Sequence, residues 1–379
     1  LALLHGERPD DQEVGAALAE ARRGAGQTDE ALAILTAYGP PGRLCGEAQR
    51  TLASCYADQG ELERAAGLLS RQVELRLPAF QEAQLAYDSA SQTRVDALVE
   101  RARAGRDMEL NRRLENVFDD ARGREIFDAW LREQIEGDAE LTALHEAYLA
   151  RSSVVPMVLS LGTLQLRRAR EVSGEAREAL LADAERLFLA IRQEAAGVPS
   201  YHLSLGQVYH RLGRTAEGDA ELTGLLESGD LGLALQVGHV YRNLGLVERA
   251  REVAEDVHAR GAGSPATQDV AGAAAHLMAL MATTLEDRET WLRRAPQELP
   301  EVETALLEVR AERALQAREL READALFAQV AQRYAAAGDN DAASQNNAAL
   351  ADQQRYRCTG DPAHLVRAGE RMERGLRLM

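Results

Sequence analysis

Apolar and small residues recur three and four positions apart along most of the chain, the spacing that gathers them on one face of a helix. The clearest run is Ser200–Val257. Leu205, Gly206, Tyr209, Gly213, Gly218, Leu222 and Leu225 are answered 32 residues later by Val237, Gly238, Tyr241, Gly245, Ala250, Ala254 and Val257. Each copy predicts two helices joined by a glycine turn. Gly206 and Gly238 fall mid-helix, where glycine costs about 1 kcal/mol against alanine. Their repetition at one register predicts a neighbouring helix approaching closely there, with Tyr209 and Tyr241 supplying bulk one turn later. Gly213 and Gly245 predict left-handed caps at the first helix's end. A hairpin of this kind still shows an apolar edge, and stacking on another hairpin covers it.

The pattern extends to both sides. In Glu13–Tyr38, Leu18, Gly26, Ala31 and Leu35 take the corresponding positions. Thr28, Asp29 and Glu30 offer an N-cap and acidic residues at a helix start, and Pro40-Pro41-Gly42 stops the helix. Leu52, Ala53, Tyr56, Gly60, Ala65 and Leu69 form a further copy, and Ala31 to Ala65 is a step of 34 residues. This pattern and period resemble the tetratricopeptide repeat, or TPR, a helix–turn–helix unit. The pattern resumes at Val155 with Leu161-Gly162, followed about ten residues late by Ala184, Phe188 and Ile191. The extra residues around Val172–Leu181 read as helix extension or a longer loop. Further hairpins are expected over Pro265–Ala295, Val302–Tyr334 and from Asp341 to the end, the last turning at Thr359-Gly360-Asp361-Pro362.

The resemblance implies an all-α fold, a right-handed TPR-like α-solenoid of about eight or nine antiparallel helix hairpins, some degenerate or extended. It divides the chain into repeats over 1–76, a degenerate helical segment over 77–153, the clear repeats over 154–260, and repeats with a cap over 261–379. The degenerate segment keeps helical patterns in Phe80–Ala104 and Asp107–Glu136. Phe118, Ile126, Phe127, Trp130, Leu131 and Ile135 form its aromatic patch. Two readings stay open: hairpins whose aromatics are core, or an insertion that contacts a partner.

Composition narrows the function. Leucine and alanine carry the core and aromatics make up only 4%, as close-packed helices favour. The net charge of −17 argues against nucleic acid and acidic membranes, which need a basic surface. All 44 basic residues are arginine, read here as the codon bias of a GC-rich bacterium. Three cysteines, Cys45, Cys55 and Cys358, at no ligand-like spacing support neither a disulfide framework nor a zinc site, so a reducing cytoplasm is expected. The first residue is Leu1, and LALLH reads as the tail of a preceding helix or domain. The apolar run Val270–Thr284 is shorter than the roughly 20 residues of a membrane span.

No catalytic motif is present: no P-loop, HExxH, CxxC or GxSxG. Cys358 and His364 are close in sequence but lack an orienting group. Asp119-Asp120 and Asp339–Asp341 read as solvated helix ends, and Glu301 and Glu303 carry no catalytic spacing. No catalytic residue, metal or cofactor is expected.

What remains is a surface. In the family the first helix of each hairpin lines the concave groove. The resemblance places Ser204, Gln207, His210 and Arg211 there, then Gln236, His239, Arg242 and Asn243, with Asn346 and Asn347 near the end. Arginine forks and side-chain amides suit an acidic or extended peptide. The expectation is a non-enzymatic scaffold or adaptor for a protein or peptide partner. The alternative is a regulatory or sensor region of, or beside, a bacterial signalling or defence enzyme such as a kinase or peptidase. Oligomeric state is left open. The family's carboxylate clamp needs lysine and asparagine at set places; with no lysine, and Ser204 and Gln236 at one of those places, it is not expected.

Overall fold

A computed structural model of the chain describes residues 5–378 apart from 7, 9, 116, 118, 119 and 338–340. Among these residues all regular structure is helical and no strand occurs. The helices run in order Gln12–Gly24 (α1), Thr28–Ala37 (α2), Gly46–Asp58 (α3), Leu62–Arg103 (α4), Met108–Leu114 (α5), Asp120–Glu136 (α6), Ala139–Leu149 (α7), Val155–Arg168 (α8), Gly174–Leu189 (α9) and Pro199–Arg211 (α10). They continue with Thr215–Glu227 (α11), Leu231–Asn243 (α12), Val247–Gly261 (α13), Gln268–Leu280 (α14), Leu285–Leu292 (α15), Pro300–Gln316 (α16), Leu320–Ala337 (α17), Ala342–Thr359 (α18) and Pro362–Leu378 (α19). Two compact units divide the chain, Leu1–Ser204 and Leu205–Met379.

In the first unit, α1 pairs with α2, and α3 with the first part of α4. α4 is 42 residues long and carries Pro78 inside it. Proline supplies no N–H to the preceding turn, yet the helix continues past it and leaves the stack. Its far half packs with α5–α7 into a side bundle. The aromatic patch is the core of that bundle: Trp130 is 0% exposed and packs with Leu98, Leu110, Ile126, Phe127, Leu131 and Ile135. Phe118 lies outside the described residues. The rings of Tyr87 and His145 stack at 4.9 Å, and those of Phe80 and Tyr148 meet at 5.4 Å, tying α7 to α4. Tyr148 Oη donates to Glu194 at 2.7 Å; burial and that carboxylate push its phenol pKa upward.

The chain rejoins the stack at α8, which packs on α3 and α4. The stretch Ala139–Arg168 is apolar enough on average to cross a membrane by length and composition. It is interrupted by a 3₁₀ turn at Ser152–Val154, so α7 and α8 are separate helices. A Cβ added at Gly162 of α8 would meet Phe188 Cε1 of α9 at 2.7 Å. The late second helix therefore starts at Gly174, and the additional residues are split between a turn and its first two turns. At α2 the expectation is corrected by one residue. The N-cap is Gln27 and Thr28 is already helical, because Gly26 at φ 77° ends the preceding turn a step earlier. Asp29 and Glu30 occupy the first turn as expected.

In the second unit the mid-helix glycines sit at close approaches. A Cβ on Gly206 would lie 2.9 Å from Leu222 Cγ and 3.2 Å from the Gly218 carbonyl oxygen. One on Gly238 would lie 3.2 Å from Leu277 Cδ2 of α14, the next hairpin's first helix. Gly213 and Gly245 are both left-handed at φ 78°. The α16–α17 turn uses the same geometry with Arg318 at φ 61°. Its bonds, Arg318 N to Leu315 O at 3.1 Å and Glu319 N to Ala314 O at 2.9 Å, match Gly213 N to His210 O at 3.1 Å and Arg214 N to Tyr209 O at 2.9 Å. The apolar run from Val270 is the interior helix α14, with Ala271, Ala274, Ala275, Leu277 and Met278 buried.

Candidate functional site

The face of each hairpin's first helix is set by its central small residue. That residue points at the second helix, so positions one and five places later, and two places earlier, turn away from the hairpin core. In α3 the small residue is Ala53; in α8 it is Gly162. Counting from them gives Thr51, Ser54 and Asp58 on α3, and Ser160, Thr163 and Arg167 on α8. All but the buried Thr51 line one cavity of about 300 Å³ in the first unit, together with Arg50 and Leu159. Leu69 and Leu164 also line it, with Arg23 from α1 and Ser200 from α10. The expected groove residues lie in the two clear repeats and at Asn346 and Asn347; the same register applied to Leu52-Ala53 and Leu161-Gly162 reaches Ser54, Asp58, Ser160, Thr163 and Arg167, but not Arg50 or Leu159. What it does not reveal is that α8 sits beside α3, because 96 residues separate Asp58 from Val155.

The cavity lining carries three arginines and one aspartate; with Glu20 and Glu47, which pair with Arg23 and Arg50, the charges there balance (3 − 3) in a chain of net −17. Its guanidinium groups are held in place. Arg23 grips Glu20 through both Nε (3.0 Å) and Nη2 (2.7 Å) and reaches Asp58 through Nη1 at 2.7 Å. Hydrogen bonding from Arg23, with a smaller contribution from Arg50, holds the Glu20 carboxyl below its ordinary range. Arg50 pairs with Glu47 one turn earlier. Arg167 Nη2 donates to the Ala57 carbonyl at 3.1 Å, bridging α8 to α3. A guanidinium has five N–H donors, so an arginine tied by one bond can still meet a carboxylate or a peptide carbonyl.

The second unit uses the register differently. His210 turns inward: its side chain is 4% exposed, and Nε2 lies 3.1 Å from Asp219 Oδ1. Its ring fills the space opposite Gly218, where a Cβ would be 2.5 Å from His210 Cδ2. It meets the Tyr241 ring edge-on at 6.0 Å. Tyr241 Oη donates to the same Asp219 oxygen at 3.4 Å, and Arg249 pairs with it too. Four successive helices, α10 to α13, thus share one carboxylate. Burial lowers the His210 pKa, opposed by Asp219 and aided by Arg249. Gln207, Arg211 and His239 are half-buried, while Gln236, Arg242 and Asn243 are exposed. Burial lowers His239 and His276 as well, and Arg242 adds to both. Asn346 is exposed and Asn347 half-buried on α18. Ser204 is buried at the end of the first unit.

The remaining candidates have structural settings. Burial raises the Cys358 thiol pKa, with Asp324 adding to it, and His364 is buried beside Arg367. Asp120 opens α6 and Asp341 is the N-cap of α18; Asp119, Asp339 and Asn340 lie outside the described residues. Glu303 pairs with Arg333 at 2.6 Å. Among the described residues no group of three or more His, Cys, Asp and Glu could hold a metal ion.

No family model matches the chain, and no curated protein matches it. Solved structures do. The APC/C hetero-tetramer Cut9-Hcn1 is similar at 12% identity and a TM-score of 0.29, over 97% of this chain and 90% of that one. Yeast Tom70 is similar at 11% identity and 0.32, over 96% and 100%. Naa15/Naa10 bound to HypK-THB is similar at 13% and 0.29, over 98% and 69%. Likenesses this distant carry no argument about function. The close-packed small residues, left-handed turns and paired helices of the chain itself make it an all-α protein of stacked TPR-like hairpins.

Proposed function

We propose that this chain is a non-enzymatic scaffold that binds an acidic, extended segment of a protein or peptide partner on the first-helix face of its hairpins. The observation that supports the reading is the cavity between α3 and α8, with Arg23, Arg50 and Arg167 around an apolar floor. A glutamate side chain matches it: its methylenes suit Leu69, Leu159 and Leu164, and its carboxylate suits the arginine forks. Ser54, Ser160 and Thr163 supply hydroxyls for the peptide backbone. Gln207, Arg211, Gln236, His239, Arg242, Asn243 and Asn347 are the candidate contacts within the second unit. The raised Cys358 pKa and the Cys55 thiol, pushed by burial to about 11, suit buried structural cysteines better than nucleophiles. All three cysteines are free.

The test is selection from a random peptide library on the immobilised chain. Enriched peptides are expected to share an acidic residue and to lose binding to the Arg50→Glu/Arg167→Glu protein. Enriched peptides without acidic preference that bind both proteins equally would contradict the reading.

A further inference from the structure

The last hairpin, α18–α19, shows an apolar face of a definite register. In α13 the buried side is Ala250, Ala254, Val257 and Gly261. The same spacing in α19 is His364, Ala368, Arg371 and Gly375, an offset of 114 residues. Two α13 side chains point at the following hairpin: Arg251 Nη2 donates to the Met281 carbonyl at 3.0 Å, and His258 Nδ1 lies 3.0 Å from the Ala271 carbonyl. Shifted by the same offset, Arg251 and His258 become Leu365 and Met372, and Ala262 becomes Leu376. These three are 41%, 44% and 71% exposed. With Gly369 they form a stripe at spacings of four, three and four, the seam on which one helix seats another. A groove of about 490 Å³ runs beside it, lined by Ala342, Ala343 and Asn346 of α18 and Met372, Gly375 and Leu376 of α19. Small residues in its walls admit a helix at short range.

Charge selects the occupant. α18 and α19 together carry six arginines against Asp352, Glu370 and Glu373, a surplus of three (6 − 3) that already counts the pairing of Arg367 and Arg371 with Asp352, in a chain of net −17. Two copies meeting here would bring like charges together on both scales. We propose that this face docks an amphipathic helix of a partner protein, with small and apolar residues at three-four spacing and carboxylates on its flanks. The helix takes the place that α14 takes on α13. This site is separate from the α3–α8 cavity and does not depend on it.

The experiment uses the full chain and two synthetic helical peptides with the same alanine-leucine stripe, one flanked by glutamate and one by lysine, followed by fluorescence anisotropy. The glutamate peptide is expected to bind saturably, at least about tenfold tighter than the lysine peptide. Met372→Asp/Leu376→Asp is expected to lose that binding, with its thermal midpoint kept near wild type as the folding control. Should that variant unfold, Leu365→Asp alone, at the stripe's other end, is to show the same loss. No binding of the glutamate peptide, equal binding of both peptides, or unchanged binding by a folded variant overturns the proposal. So does a dimer by light scattering that the Leu376→Asp change dissolves, since a second copy is then the occupant. Hydrogen-exchange protection of 365–376 in the free chain also overturns it.

Discussion

Four places past the central small residue of its helix, α3 carries Ala57 and α10 carries His210. In the first unit the small side chain leaves the face open, and its carbonyl accepts from Arg167 of the neighbouring first helix. In the second, the imidazole swings into the hairpin opposite Gly218 and reaches Asp219. The same helix position is therefore a small residue at a cavity in one region and an interior pin in the other. What decides is the volume left on the facing helix: a glycine at 218 makes room for a ring, and the ring takes it. Register names the candidates for a surface, and the partner across the hairpin determines which of them reach it.

The sharpest way to break this contrast is to remove the room. Gly206→Ala places a methyl against Leu222 and the Gly218 backbone, and a backbone neighbour cannot rotate aside. A loss of about 2–3 kcal/mol is expected from such overpacking, measured by urea unfolding. His210→Ala empties the space opposite Gly218 and is expected to cost roughly 2 kcal/mol as a buried cavity. Arg242→Ala on the exposed side of α12 should stay within about 0.5 kcal/mol. Equal effects from these two would remove the distinction between pin and surface.

Smaller effects sharpen the picture. Arg318 holds a left-handed conformation where four other hairpin turns, at Gly26, Gly60, Gly213 and Gly245, use glycine. That conformation costs a residue with a Cβ about 1–2 kcal/mol, so Arg318→Gly is expected to stabilise the fold by roughly 1 kcal/mol, read as a rise in the thermal midpoint. The smallest effect is on pH. Burial lowers the pKa values of His210, His239 and His276 in the folded chain, so below the unfolded value near 6.5 the unfolded chain takes up more protons. Their contribution to stability is complete above that pH and declines as acid is added toward the folded values. His210→Gln is expected to flatten the fall in midpoint between pH 7 and pH 5; an unchanged slope would show that His210 does not carry it.

Much of the fold was legible because hairpin packing is local. Gly206 and Gly238 announced close approaches, Gly213 and Gly245 announced left-handed turns, and the spacing of Trp130, Ile126 and Leu131 announced a helix face. The side bundle's role was not legible, since either a core or a contact surface suits an aromatic patch; Trp130 is buried against Leu98 and Leu110 with Phe127 packed beside it, so these two are core. The α3–α8 cavity was half legible. Ser54 and Arg167 stand at the right register and Arg50 does not, and their juxtaposition depends on α4 carrying the chain out past Pro78 and α8 bringing it back, a long-range event without a local signal. His210 was placed on the surface by the family resemblance; four places past Gly206 it shares that glycine's inward face, and Gly218, eight residues on, leaves room for its ring.

The central claim is that an acidic segment binds where α3 and α8 meet. The most direct measurement is the equilibrium dissociation constant of one library-selected acidic peptide for three proteins: the wild type, Arg50→Glu/Arg167→Glu, and Arg211→Glu/Arg242→Glu. With each tenfold change worth about 1.4 kcal/mol, the first pair is expected to weaken binding by about a hundredfold or more and the second by less than about tenfold. Unchanged affinity in a folded Arg50→Glu/Arg167→Glu protein, with loss in the Arg211→Glu/Arg242→Glu protein, would contradict the account and move the site to the second unit.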